Sequence, residues 1–191
     1  MLEKIIELDK QLFIFLNSLG SPTFDGFWLI ITKQLNWATL FLLVFYLLQK
    51  KIGWKNTMLY LFLIALLILI CDQSANFFKN TVQRLRPCND LQIKNVIRIV
   101  IQSDTFSFFS GHATNSMATT LFVFLTFRKF YKYAFLLFLF PLLFAYSRIY
   151  LGLHFPIDIV TGYVYGSIFG FLFYKLYLYL QNRFSLNQIK I

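Results

Sequence analysis

The chain has 191 residues, of which 58% are hydrophobic, 20% aromatic and only 14% charged, against roughly a quarter charged in soluble domains. Its mean hydropathy of +0.63 describes a chain dissolved in lipid, with residues 1–191 forming one compact unit and no second domain. The formal net charge of +10 would suit nucleic acid if the cations shared one soluble face, but they sit between apolar runs, so no nucleic-acid partner is expected.

The first stretch, "MLEKIIELDKQLFIFLNSLG", carries Glu3, Glu7 and Asp9 where a secretory signal would carry basic residues. Ile5, Leu8, Leu12 and Leu16 recur at helical spacing, which predicts an amphipathic helix lying at the membrane interface, too short and too charged to span. Five apolar runs follow, at about 26–48, 56–78, 112–128, 133–152 and 156–178. Each is near the ~20 residues that a spanning helix needs. The predicted fold is all-α: a polytopic membrane helix bundle of about five spanning helices plus the interfacial one, six in total.

The connections alternate in charge. "QKKIGWK" carries Lys50, Lys51 and Lys55; "RKFYK" carries Arg128, Lys129 and Lys132; the tail carries Arg183 and Lys190. Placing these three in the cytoplasm obeys the positive-inside rule. The loop from about 79 to 111 and the turn around 148–156 then share the opposite, extracytoplasmic face, as does the acidic N-terminal segment. In bacterial terms this is a multi-pass inner-membrane protein with its polar loops on the periplasmic side. Cys71 lies inside an apolar run and Cys88 in a loop, so no disulfide is expected.

Both histidines of the chain fall on that outer face, beside polar or charged residues. In "KNTVQRLRP", Lys79 and Arg86 are seven apart, close to two helical turns, so both cations are expected on one helix face before Pro87 ends it. In "FFSGHATNSMA", Ser110, Gly111 and His112 open an apolar run. A helix N-terminus there offers free N–H groups and a positive dipole end, Gly111 lets the backbone come close, and Ser110 supplies a hydroxyl. In "SRIYLGLHFPID", Arg148, His154 and Asp158 surround a turn, with Pro156 suited to a first helical turn. Asp158 is expected to hydrogen-bond one imidazole nitrogen of His154 and leave the other as a nucleophile or base. Each cluster alone also fits snorkelling cations, an ordinary cap or a satisfied His–Asp pair. Together, on one membrane face, they describe a site that holds and transfers a phosphoryl group.

These residues resemble the type 2 phosphatidic acid phosphatase superfamily. Lys79, six residues and Arg86-Pro87 are similar to its first motif, "FSGH" to its second, and Ser-Arg, five residues, His154, three residues and Asp158 to its third. The likeness covers residues 72 to 162 and the helix order. Phe109 stands where the family has proline, a position without chemistry. The family often has a further N-terminal spanning helix, here reduced to the interfacial segment.

The resemblance implies a metal-independent phosphatase without cofactors. His154 would attack phosphorus to form a phosphohistidine, oriented by Asp158. His112 would protonate the leaving oxygen and later help activate water. Lys79, Arg86, Arg148, Ser110 and the Gly111 N–H would hold the phosphoryl oxygens. The implied partners are the bilayer and a phosphorylated lipid of the undecaprenyl pyrophosphate, phosphatidate or phosphatidylglycerophosphate class. Alternatives are a lipid A phosphatase or a lipid-to-lipid phosphotransferase. A transporter lined by the same charges would need no His–Asp pair beside an anion cradle. Asp72 and Asn76 share a helix face with Lys79 or Asn80, which suits either the entry to the site or interhelical hydrogen bonding.

Overall fold

A computed structural model describes residues 1–184; Lys190 of the basic tail lies outside them. Six α-helices follow one another: α1 Leu2–Ser18, α2 Asp25–Ile31, α3 Ala38–Val82, α4 Gly111–Phe127, α5 Leu139–Tyr150 and α6 Pro156–Arg183. No strand occurs among the described residues. The fold is all-α, a bundle of helices whose outward positions are apolar. Leu42, Phe62, Val160, Val164 and Ile168 are all more than half exposed, as lipid-facing side chains should be.

Two of the predicted runs are built differently from a plain rod. The run expected over 26–48 is broken after α2, where Asn36 Nδ2 donates to Ile30 O at 2.7 Å and Trp37 Nε1 donates to Ile31 O at 2.9 Å. These side chains satisfy the open carbonyls of a helix end. The connection expected around 49–55 shrinks to one residue, Gly53, whose φ of 74° no other residue adopts readily. A straight α3 would separate Phe41 from Ile68 by about 40 Å at 1.5 Å per residue, yet both line one cavity. The chain therefore folds back at Gly53 and α3 is two antiparallel arms.

The centre of the bundle is the α4–α6 contact. Gly162, Gly166 and Gly170 form a stripe along α6, and a Cβ on Gly162 would lie 2.8 Å from Ser110 O, on Gly170 2.5 Å from Ala118 O, and on Gly166 closer still to Thr114 O. Only glycine permits two backbones this near, the usual device of helices packed in lipid. At one end of this contact Tyr60, Phe122 and Tyr177 pack together, with Tyr60 stacked on Phe122 at 4.2 Å and its hydroxyl donating to Phe122 O at 2.9 Å. The other end carries the loop 83–110 and the turn 151–155.

The N-terminal helix turns a different face inward from the one its aliphatic pattern suggests. Ile5, Leu8 and Leu12 are exposed, and Leu16 is only partly buried, while Asp9, Phe13 and Asn17 are buried. In lipid an aliphatic face is at home outside, and polar groups must find partners within. Asn17 does so by donating to Arg98 O, Ile149 O and Tyr150 O and accepting from Arg98 N.

Candidate active site

The first cluster departs from the expected helix. Helix α3 stops at Val82, because Gln83 takes a left-handed conformation (φ 51°) and closes the helix on Lys79 O. Lys79 therefore stays on α3 while Arg86 lies four residues beyond it in extended backbone. That extension sends the Arg86 guanidinium inward. Nε and Nη2 donate to Thr105 O and Oγ1, both at 2.8 Å, and Nη1 donates to Leu153 O at 3.0 Å. Nη1 also lies 3.1 Å from His154 Nε2. A guanidinium only donates, so that geometry makes Nε2 the acceptor and leaves the ring proton on Nδ1.

His154 sits in the turn between α5 and α6, 1% exposed, held by its N–H and that of Leu153 on Arg148 O. Burial first, then the Arg86, Arg148 and Lys79 cations, hold its pKa well below the usual histidine value. The neutral ring keeps a lone pair on Nε2. Asp158 lies in the first turn of α6, with Oδ2 accepting Phe155 N–H at 2.9 Å. Its distance to His154 Nδ1 is 3.6 Å, longer than a hydrogen bond, so the expected bond is an alignment rather than a contact. Asp158 Oδ1 instead accepts from Arg84 Nη1 at 2.7 Å.

The second cluster opens α4 as expected. Ser110 is the N-cap, its Oγ accepting from Ala113 N at 3.4 Å and its own N–H donating to Asp158 O at 3.1 Å. That backbone bond ties the α4 start to the α6 start. A Cβ on Gly111 would stand 3.8 Å from Lys79 Nζ, so the glycine keeps open the space in front of that ammonium. The His112 ring stacks on Phe144 at 5.0 Å. Arg148 lies in the last turn of α5, with Nη1 donating to Thr32 Oγ1 at 2.6 Å, while its Nε is buried with no partner. Lys79, Arg86 and Arg148 all lie within electrostatic reach of both histidines. All eight residues singled out in the sequence thus converge.

Asn76 Nδ2 bonds Asp72 Oδ2 on its own helix at 3.4 Å. With Lys79, Asn80, Asp104, Thr105 and Phe106, Asn76 lines a cavity of about 350 Å³. Cys71 and Cys88 are buried and free. No group of three His, Cys, Asp or Glu side chains placed to hold a metal occurs among the described residues.

Four residues of the site escaped the sequence reading: Asp9, Thr32, Arg84 and Thr105. Burial pushes the Asp9 carboxyl up, and the Arg84 guanidinium and the Ile157 N–H pull it back. The signal for Asp9 was present in the i, i+4 stripe Asp9, Phe13, Asn17. Arg84 gave none, because on a continued helix it would point away from Lys79.

Three cations, a donor-rich helix start and a neutral buried histidine converging at one end of a lipid-dissolved bundle define a membrane phosphoryl-transfer protein. Residues 56–182 match the PAP2 superfamily, and the chain belongs to it. It is similar to the lipid A 4'-phosphatase of Bacteroides thetaiotaomicron, 36% identical over 91% of this chain and 79% of that one. It is also similar to the lipid A 4'-phosphatase of Porphyromonas gingivalis, 34% identical over 95% and 78%. Among solved structures, the PAP2-type phosphatidylglycerolphosphate phosphatase of Bacillus subtilis shares the fold with a TM-score of 0.70 at 18% identity, covering 91% of this chain and 86% of that one. Aquifex aeolicus LpxE does so at 0.69 and 24%, covering 88% and 95%. The protein is a membrane phosphatase that hydrolyses phosphate esters of lipids.

Proposed function

We propose that this phosphatase removes a phosphate carried by a lipid A-type saccharolipid, through a phosphohistidine on His154. The observation that carries the mechanism is the 3.1 Å approach of Arg86 Nη1 to His154 Nε2. It presents a cation for the phosphoryl oxygens beside the nitrogen that would attack. In the first step Nε2 bonds to phosphorus, the ester P–O bond breaks, and His112 gives its proton to the departing oxygen. In the second, water attacks phosphorus, His112 takes the water proton, and the N–P bond breaks to release inorganic phosphate. Lys79, Arg86, Arg148, Ser110 and the Gly111 N–H spread the charge on the phosphoryl oxygens. Those groups supply the neutralisation that phosphatases of other classes take from metal ions, so activity should persist in chelator.

The substrate reading is supported by two relatives, above 30% identical over more than nine-tenths of this chain, that are lipid A 4'-phosphatases. The phosphatidate, phosphatidylglycerophosphate and undecaprenyl pyrophosphate classes stand behind it. An apolar cavity of about 370 Å³ between the two arms of α3, α4 and α5 leaves room for an acyl chain. Its wall includes Phe144, the ring stacked on His112. Residues 1–191 are read as one unit, in keeping with the bond from Ile157 N to Asp9 Oδ1 across the bundle. The loop 83–110 is read as extracytoplasmic from the placement of the basic connections; an impermeant thiol reagent should label a cysteine at position 95 and spare one at position 130. The deciding experiment incubates purified protein in detergent and EDTA with each of the four lipid classes. Lipid A should release phosphate fastest. Faster release from phosphatidate would move the substrate, and full loss in EDTA restored by magnesium would end the mechanism.

A further inference from the structure

Arg84 lies inside the first cluster, between Lys79 and Arg86, but is not one of the residues singled out there, yet it holds the acidic end of the His154–Asp158 pair. Nη1 donates to Asp158 Oδ1 at 2.7 Å and Nη2 to Asp9 Oδ2 at 2.6 Å. Both carboxylates are essentially inaccessible to solvent, at 0% and 1% side-chain exposure. The guanidinium plane covers the Phe155 ring at 4.1 Å, and the other edge of Phe155 meets Phe13 of α1 at 5.3 Å. The second oxygen of Asp9 accepts Ile157 N–H at 2.9 Å, one of the open donors at the start of α6. Helix α1 thus touches Phe155 and Ile157, the residues that follow His154 into α6.

We propose that Arg84 and Asp9 are positioning residues of the phosphatase site, a clamp through which helix α1 sets the orientation and charge of Asp158 and thereby the readiness of His154. The proposal rests on His154 being the nucleophile. Two carboxylates and one guanidinium carry a net charge of −1, from −1, −1 and +1. That charge is needed at one moment. When Nε2 bonds to phosphorus the ring retains its Nδ1 proton and becomes cationic, and the cluster beside Nδ1 stabilises it. Without Asp9, the Arg84–Asp158 pair is neutral and offers the ring no net charge. Without Arg84, two carboxylates share a buried site and one of them takes up a proton. Asp158 also loses the donor that, with Phe155 N–H, stops its carboxylate from rotating. Each member is needed for a different reason, and the one from α1 supplies the excess charge.

The test uses full-length protein in detergent, with p-nitrophenyl phosphate and lipid A as substrates and the trapped phosphoenzyme as a second readout. Asp9→Asn keeps the shape of the side chain and the acceptor for Ile157 N–H but removes the charge. It should lower kcat and the rate of phosphoenzyme formation about tenfold, the equivalent of one pKa unit of lost interaction, with KM little changed and the melting temperature lowered by the loss of one buried ion-pair partner. Arg84→Gln leaves two buried carboxylates without their counter-ion, so it should lower kcat by more than Asp9→Asn does and also lower the melting temperature, and Arg84→Lys should recover part of both. In an Asp158→Asn background, Asp9→Asn should add no further loss, because it acts through Asp158. An unchanged kcat in folded Asp9→Asn, or losses that multiply in the double variant, would overturn the clamp while the phosphatase reading stood. A folded wild-type protein that releases phosphate from neither substrate would bring down both.

Discussion

The two ends of the α4–α6 axis are held by different physics. At the far end Tyr60, Phe122 and Tyr177 pack ring on ring, and the buried polar groups around them are uncharged: Tyr60 Oη donates to Phe122 O, and Gln181 Nε2 to Asn56 Oδ1 and Tyr177 Oη. At the site end, buried polar groups are paired across long stretches of chain: Asp9 with Arg84, Arg84 with Asp158, Thr105 with Arg86, Thr32 with Arg148. The difference teaches where this fold spends its specificity. Ring packing and a few neutral hydrogen bonds suffice at the far end, whereas a site that keeps cations and carboxylates out of water pairs charge with charge or with a chosen acceptor.

The largest break in that comparison should come from His154, the proposed nucleophile. His154→Ala is expected to lose activity by on the order of 10⁴-fold or more on every leaving group, with no trapped phosphoenzyme in protein that still folds. Labelled phosphate recovered on residue 112 would reverse the two histidines. His112→Ala should follow, at about 10²–10⁴-fold on an alkyl phosphate and far less on p-nitrophenyl phosphate, whose leaving group hardly needs a proton. Equal losses on both would leave His112 as a phosphate ligand and no more.

The axis itself gives the next effect. Gly166→Leu drives a side chain into Thr114 O and should destabilise the protein by about 1–3 kcal/mol, read as a fall in melting temperature in detergent. Tyr60→Phe at the far end removes one buried hydrogen bond and should cost about 1 kcal/mol of stability. A drop in turnover at the site larger than this stability change would blur the division between the two ends. The smallest expected effect is on pH. Because the His154 pKa is lowered, its ring is already neutral at the usual histidine value of about 6.5. The acid limb of kcat/KM should therefore fall below that pH, and a limb above it, lost in no His112 variant, would assign it to His154 and contradict the burial.

Much of this was legible before any coordinates. Lys79, Arg86, Ser110, Gly111, His112, Arg148, His154 and Asp158 announce themselves because charge and histidine are scarce in an apolar chain, so each polar residue there needs a reason. The all-helical fold followed from run length, since a bilayer admits few alternatives to a helix of about 20 residues, although the run over 26–48 is divided between α2 and the first arm of α3. Boundaries were harder. The early stop of α3 at Gln83 and the fold-back at Gly53 are single-residue backbone events, which a hydropathy window averages away.

The sequence by itself determined the class of solvent, the helical fold and the chemistry, because these depend on composition and on spacing along one chain. Only the tertiary structure decided how that chemistry is held. It turned the Asp9–Phe13–Asn17 face of α1 inward and the aliphatic face out, carried Arg84 between two carboxylates, and set Asp158 3.6 Å from His154 Nδ1. Such pairings join residues as far apart as Asp9 and Ile157, and no local pattern records them. They exist because a buried charge in lipid finds its partner wherever the packed helices bring one near.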